Sequence, residues 1–296
     1  MVIDGQKIAQ EILEELKIKF QKLPPKIFAA VIVGENPANL TFLNQKQKFA
    51  KELDIDFRIY KYASDITNDK LRKEIVRISK SSRVGGVIVQ LPLPTHLNRQ
   101  AILNAINKEK DIDCLSERSL GGFYTSRWIL PPAVGTVEKI LENINYELTN
   151  KKAAVVGAAG FLVGKPISIW LMDKVAELYL FEKNTRDLKK ELKEVDLIIT
   201  GVGKAGLIKP EMLKEGAGVI DFGYSIDENG KIHGDFDTTK LINSSTHQLN
   251  FYTPTPGGTG PILVAQIFSN FYTLVSNTAK QHYSNTITQQ HNSLLE

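Results

Sequence analysis

The 296-residue chain has a single cysteine, Cys114, so no internal disulfide can form, and no closely spaced Cys or His residues suggest a zinc site. A reducing cytoplasm is the expected compartment. No segment approaches about 18 uninterrupted apolar residues, and Met1-Val2-Ile3-Asp4-Gly5-Gln6 lacks a basic region followed by an apolar one. Neither export nor a membrane span is expected. No charge of one sign dominates: 37 basic and 33 acidic residues are mixed along the chain, short of the clustered excess that marks a nucleic-acid footprint. No nucleic-acid partner is expected. Gly and Pro are not enriched enough for a fibrous or disordered chain, and 42% hydrophobic with 24% charged residues is globular make-up. At roughly 100–200 residues per domain, the length predicts two domains.

Short β-branched runs alternate with stretches of helical period, the signature of α/β architecture with mainly parallel sheets. In the first half the runs Phe28–Val33, Asp56–Tyr62, Val87–Gln90 and Asp111–Leu115 predict strands. Helices are expected at about 6–20, 39–53, 66–82 and 98–108. A second series begins near Lys151, with strands expected at Ala153–Val156, Leu178–Phe181, Leu197–Thr200, Gly218–Asp221 and Phe251–Thr253. Asp227-Glu228-Asn229-Gly230 predicts a surface hairpin. Ile262–Val275 predicts a last long helix, followed by a polar tail expected to fray.

On the helix at 39–53, Phe42, Leu43, Phe49, Ala50 and Leu53 fall within an arc of about 120° at about 100° per residue. Lys46 lies in the same arc, the only charge on the apolar face. One explanation is snorkelling, with the stem on the core and the ammonium in water. The other is an ammonium in a partly apolar cleft, where desolvation lowers its pKa and suits it to acid–base work. Gln90 ends a strand that Leu91-Pro92-Leu93-Pro94 cannot continue. Asp113 also ends a short run, and ligands of open α/β sheets bind outside the carboxyl ends of strands. Taken singly, Gln90 and Asp113 read first as loop polar residues, but together with Lys46 they could surround one cleft with a cation, an amide and a carboxylate.

In the second half, Ala153–Val156 runs into Gly157-Ala158-Ala159-Gly160-Phe161-Leu162-Val163-Gly164-Lys165-Pro166. Glycines let a backbone approach a pyrophosphate, and a helix opening near Lys165-Pro166 offers N–H groups to it. A tight strand-to-helix turn explains the same glycines. Glu182 closes the next strand about 20 residues on, the place of the acid that binds an adenosine ribose diol and favours NAD. Lys183 and Arg186 follow, and cations there suit the 2′-phosphate of NADP. The residues alone leave NAD and NADP open.

Several strings of this chain resemble the methylenetetrahydrofolate dehydrogenase/cyclohydrolase family, from about residue 2 to 270: Val33-Gly34-Glu35-Asn36-Pro37-Ala38, Gln90-Leu91-Pro92-Leu93-Pro94, Lys110-Asp111-Ile112-Asp113, Val163-Gly164-Lys165-Pro166, Val219-Ile220-Asp221-Phe222-Gly223, Gly234-Asp235 and Thr253-Pro254-Thr255-Pro256-Gly257-Gly258-Thr259-Gly260-Pro261. The resemblance implies that Lys46 is the catalytic residue, that Gln90 holds and tunes it, and that Asp113 binds the pterin ring. It further implies stacking of Phe42 on the folate, Pro256 and Gly257 beside the ligands, and a cofactor site of Gly157, Ala158, Ala159, Gly160, Gly164, Lys183 and Tyr224. The implied reactions are oxidation of 5,10-methylenetetrahydrofolate to the 5,10-methenyl form with NADP, NAD being the alternative, and hydrolysis to 10-formyltetrahydrofolate, within one-carbon metabolism and purine biosynthesis. The implied partners are tetrahydrofolate derivatives and a second copy in a homodimer, with no metal. The expected fold is an N-terminal α/β folate-binding domain, 1–136 completed by a C-terminal helix 261–278, and a Rossmann-type NAD(P)-binding domain, 137–260, with the site in the cleft between them and 279–296 as a polar tail.

The chain departs from the family pattern at Phe42, usually tyrosine, and at Asn39, usually a serine at the helix start and still able to cap it. Cys114 replaces the usual glycine, Lys183 replaces a serine, and Ala158-Ala159-Gly160 replaces the arginine and serine that meet a 2′-phosphate. A shikimate-type dehydrogenase and a folate-binding relic without turnover are the rival expectations. His96, His233, His247, His282 and His291 are scattered and carry no assigned chemistry.

Overall fold

The computed structural model describes residues 1–34, 37–241 and 248–292, with the side chains of 37–41, 240 and 281–292 excepted. Asn39 as a cap, Glu35 and Asn36, and the side chains of His247, His282 and His291 therefore lie outside the described residues. The chain divides into two units, one of Glu11–Leu130 with Val264–Glu296, the other of Met1–Gln10 with Pro131–Leu263.

The first unit contains most of α1 (Gly5–Phe20), then β1 (Ile27–Val33), α2 (Pro37–Glu52), β2 (Phe57–Tyr62), α3 (Asn68–Lys80), β3 (Val84–Val89), α4 (Arg99–Leu103) and α5 (Glu117–Ser126). Its three strands are parallel in the order β2-β1-β3. β1 and β3 are buried along their whole length, which is why they read as unbroken apolar runs, whereas edge strand β2 keeps exposed positions. Polar caps fix the helix starts: Thr67 accepts the Lys70 N–H and Asn98 that of Ala101.

The expected strand at Asp111–Leu115 is reduced to one bridge between Asp111 and Val87. The buried Asp111 carboxylate accepts the N–H groups of Leu115 at 3.3 Å and Ser116 at 2.8 Å, closing a turn where extension would have continued. Ser116 then caps α5, a helix whose paired Gly121 and Gly122 conceal it in the sequence.

The second unit holds α6 (Pro132–Asn143), β4 (Lys152–Val156), α7 (Gly164–Leu171), β5 (Glu177–Phe181), α8 (Leu188–Glu191), β6 (Leu197–Thr200), β7 (Gly218–Asp221), the antiparallel hairpin β8 (Ser225–Ile226) with β9 (Ile232–His233), and β10 (Phe251–Tyr252). Pro132 opens α6, so the cut expected at 137 falls inside this helix. Five parallel strands order as β10-β7-β6-β4-β5, a doubly wound sheet whose direction of winding reverses between β4 and β6. Its core includes Ala154, Val156, Phe181, Ile198, Val219 and Phe236. The first residues join this sheet, Val2 bridging Tyr252 and the Ile3 N–H donating to the Tyr252 carbonyl at 2.9 Å.

The last helix, α9 (Thr259–Asn292), starts in the second unit and passes into the first. Within the first unit its Phe268 and Phe271 lie 5.0 and 5.1 Å from the Phe28 ring. Gly86 of β3 permits that approach, since a Cβ there would meet Phe271 at 2.9 Å and Ile112 at 2.5 Å. The helix continues through the polar stretch expected to fray: no Pro or Gly between 276 and 292 interrupts it.

Candidate active site

Lys46 on α2 is 7% exposed and shares the buried face with Leu43, Ala50 and Leu53. Its ammonium donates to Gln90 Oε1 at 2.9 Å. Gln90 follows the last residue of β3, where its N–H still pairs with the Val31 carbonyl at 2.9 Å and its own amide N–H reaches the Leu91 carbonyl at 3.2 Å. The amide oxygen is thereby held toward the lysine. Burial lowers the Lys46 pKa, and the Asp113 carboxylate opposes the shift. Burial also pushes the Asp113 carboxyl up to about 6, with Lys46 holding it down and Asp111 adding to the rise. Lysine, amide and carboxylate are one electrostatic group in the first unit. A buried amine and a half-buried carboxyl, each shifted by desolvation toward its neutral form, are suited to proton transfer.

The turn that presents Asp113 is held from two sides. Asp111 closes it as described, and Asn270 of α9, 7% exposed, donates to the carbonyls of Ile112 and Leu130, both at 2.9 Å. Asn270 escaped sequence reasoning, although its signal was of the Lys46 kind, a polar side chain within an apolar helical stretch. Cys114 occupies this turn with φ 56° and is fully buried. That left-handed conformation favours glycine. Burial pushes the Cys114 thiol far above its ordinary range, so it behaves as an unreactive apolar filler. Phe42 is half-buried one turn before Lys46. Among the described residues no group of three or more His, Cys, Asp or Glu could hold a metal.

In the second unit, Gly157 follows β4 with φ 81°, its N–H pairing with the Phe181 carbonyl at 2.8 Å. The Gly160 N–H returns to the Gly157 carbonyl at 2.9 Å. A Cβ on Gly164 would lie 2.0 Å from that same carbonyl oxygen, so the start of α7 fits against the loop only as glycine. α7 opens without a side-chain cap. The Ala159 N–H donates to the Glu182 carboxylate, which places the acid at the end of β5 against the loop, the position that ribose recognition requires. Leu162 and Val202 keep 47% and 46% of their surface exposed on the loops after β4 and β6. Close-approach glycines, an acid at the second strand and exposed apolar side chains fit a dinucleotide. Lys183 is exposed and makes no hydrogen bond or ion pair among the described residues. Ala158 is buried, and Tyr224 is half-buried after β7.

Thus Lys46, Gln90 and Asp113 come together in the first unit, on which Phe42 also lies. The loop Gly157–Gly164, Lys183 and Tyr224 belong to the second, as do Pro256 and Gly257. Gly257 has φ 99°, and the Gly5 N–H donates to its carbonyl at 3.1 Å.

Comparison with known proteins agrees with this division. A model of the tetrahydrofolate dehydrogenase/cyclohydrolase catalytic domain matches residues 3–113, and one of the NAD(P)-binding domain of the same family matches 131–279. The bifunctional protein FolD of Staphylococcus carnosus is 32% identical over 91% of this chain and 94% of its own. The bifunctional FolD structure from Campylobacter jejuni superposes with a TM-score of 0.88 at 32% identity, covering 94% of this chain and 99% of that one. The Trypanosoma brucei enzyme, complexed with NADP and an inhibitor, gives 0.86 at 26% identity, covering 94% and 98%. With both domain models matched in order along the sequence, the chain belongs to the tetrahydrofolate dehydrogenase/cyclohydrolase family.

Proposed function

We propose that this protein oxidises 5,10-methylenetetrahydrofolate to the 5,10-methenyl form with NADP and hydrolyses that product to 10-formyltetrahydrofolate. The observation that carries the reading is the buried Lys46 with half-buried Gln90 and Asp113 around it in a chain of this family. When bound, the nicotinamide supplies the hydride acceptor. Asp113 takes hydrogen bonds from the pterin and fixes its orientation, with the Phe42 ring stacking against the folate. In the hydrolytic step water adds to the methenyl carbon. Lys46, whose neutral amine burial favours, takes one proton of the water and returns it to the ring nitrogen as the bridging C–N bond opens, while the remaining hydroxyl proton leaves to solvent as the formyl C=O forms. Gln90 holds the amine in line.

The Gly157–Gly164 loop, Glu182 and Tyr224 bind the nucleotide, and Lys183 supplies the cation for a 2′-phosphate in place of the family's serine. NADP is favoured because that free ammonium lies next to the ribose acid. The protein acts in the cytoplasm as a homodimer, a reading supported by one buried thiol that needs no oxidising compartment and by family membership. Among the described residues no helix is long and apolar enough to cross a membrane.

The test mixes purified protein with 5,10-methylenetetrahydrofolate and either NADP or NAD, following nucleotide reduction and the rise and decay of the methenyl chromophore. Faster reduction of NADP with accumulation of 10-formyltetrahydrofolate is expected. Binding of folate and nucleotide without reduction of either nucleotide would identify a relic.

A further inference from the structure

Two buried aspartates of the second unit take no part in the chemistry above. Asp235, 0% exposed, follows the β8–β9 hairpin. One of its carboxylate oxygens accepts the Thr200 hydroxyl and the Val202 N–H, both at 2.7 Å, and the other accepts the Lys204 N–H at 2.7 Å. These three donors are the end of β6 and the loop that leaves it. Asp221, 1% exposed at the end of β7, accepts the Gly223 N–H at 2.6 Å and the Phe236 N–H at 2.9 Å. Its own backbone is held by the hydroxyls of Thr253, which accepts the Asp221 N–H at 2.7 Å, and Thr259, which donates to the Asp221 carbonyl at 2.8 Å. The two carboxylates therefore tie the loops that follow β6 and β7 to the segment 235–236, and the Asp221 backbone ties the segment after β10 to the same point.

The packing leaves no slack. A Cβ on Gly223 would lie 2.4 Å from Asp235, and one on Gly234 would lie 2.1 Å from an Asp221 oxygen and 2.7 Å from the Thr255 hydroxyl. Among the described residues neither carboxylate forms an ion pair. Two acids kept in a tight interior and satisfied by backbone donors are an expensive way to build a loop, which argues for a need to hold those loops in one conformation.

The sheet order says what the loops face. A dinucleotide crosses the carboxyl ends of the strands at the reversal between β4 and β6, with its adenosine over β4 and β5, where Glu182 sits. The nicotinamide half then lies on the opposite side of the reversal, over the ends of β6 and β7. Those ends carry Val202, Lys204 and Tyr224, and Val202 keeps 46% of its surface exposed.

We propose that Asp235 is a positioning residue for the nicotinamide half of the cofactor, fixing the 201–204 loop that forms its floor, with Asp221 locking the neighbouring 222–224 loop to the same point. The inference rests on the nucleotide-binding reading above and adds to it a residue that touches no ligand. Hydrogen bonds to a carboxylate are worth enough that losing one raises a dissociation constant about tenfold when the ligand alone depends on it.

The experiment measures NADP and NADPH binding by fluorescence titration on the full chain, beside the rate of methenyltetrahydrofolate hydrolysis, a step that consumes no nucleotide. Asp235→Asn puts an amide N–H against a backbone donor, and a rise in Kd of about tenfold or more is expected. Thr200→Val is the milder variant should that one fold poorly. It keeps side-chain shape, removes one hydrogen bond, and is expected to raise Kd several-fold, while Thr200→Ser, which keeps the hydroxyl, restores affinity. In both weakened variants the loss falls on KM for the nucleotide, with kcat at saturation and the hydrolytic rate retained. Faster amide exchange at Val202 and Lys204 accompanies it. Wild-type affinity in Thr200→Val, or equal losses in nucleotide binding and hydrolysis, overturns the inference alone. Failure of the wild type to bind either nucleotide overturns the reading beneath it as well.

Discussion

Replacing Lys46 by methionine separates what the ammonium does for the reaction from what it does to the fold. The group is 7% exposed, carries three N–H donors, and reaches Gln90 Oε1 at 2.9 Å. Burial disfavours the charged amine more than Asp113 favours it. A thioether of similar volume removes the desolvation cost of the ammonium and keeps the buried face of α2 filled, which favours the variant wherever the Asp113 carboxyl is protonated, whereas an ionised Asp113 left without its cation costs about 3–5 kcal/mol. The gain depends on pH, because Asp113 loses its cation. In the wild type the Asp113 carboxyl is raised from 3.8 to about 6, so the stability present below its unfolded value declines by about 3 kcal/mol as pH rises through that window and then levels off. Without Lys46 the folded value climbs further and the decline continues above that window. In urea unfolding, K46M is expected to exceed the wild type at pH 5 and to lose that advantage by pH 8. Hydrolysis of methenyltetrahydrofolate should be abolished at both. A variant weaker than wild type at pH 5, or two parallel stability profiles, refutes the electrostatic reasoning, and retained hydrolysis refutes the role of Lys46.

Asn270→Leu strands the carbonyls of Ile112 and Leu130, a cost of about 2–5 kcal/mol, and loosens the turn under Asp113. The urea midpoint should fall and KM for folate rise, and an unchanged midpoint would count against the assignment. Gly164→Ala drives a methyl into the Gly157 carbonyl, so nucleotide binding should be lost while methenyl hydrolysis persists. Nucleotide titration beside the hydrolytic rate reads both. Lys183→Ala should weaken NADP about tenfold and leave NAD unchanged, and equal effects on the two would remove Lys183 from the 2′-phosphate.

The strands were legible because central parallel strands are buried on both faces and therefore read as apolar runs. Central strands β4, β6 and β7 fall within a residue of the positions expected for them, and so does edge strand β5. The failures share a cause. At Asp111 a side chain competed for the backbone and turned an expected strand into a turn, and at α5 two glycines masked a helix whose Ser116 cap is visible only once the turn before it is known. Lys46 stood out because a charge on an apolar helix face has few explanations, and Gln90 because two prolines stop the strand beside it. The hydrogen bond between them joins residues 44 apart in sequence, and neither residue alone predicts it. Asn270 and Asp235 were harder still, since each acts on the backbone of a distant loop.

The chain's two ends also bear on the order in which it can fold during synthesis. β1 and β3 are finished early, yet the rings that cover Phe28 and fill the space above Gly86 come from Phe268 and Phe271, more than 170 residues later in the chain. Until they emerge, the first sheet has an uncovered apolar face and Asp113 stands on a turn without its Asn270 bonds. The opening residues wait as well, for Tyr252. A nascent chain therefore holds an uncovered apolar surface from β3 until α9 has been made. Loss of α9 would remove both the Asn270 bonds under the Asp113 turn and the rings that cover Phe28, so one helix joins the support of the candidate site to the cover of the first sheet.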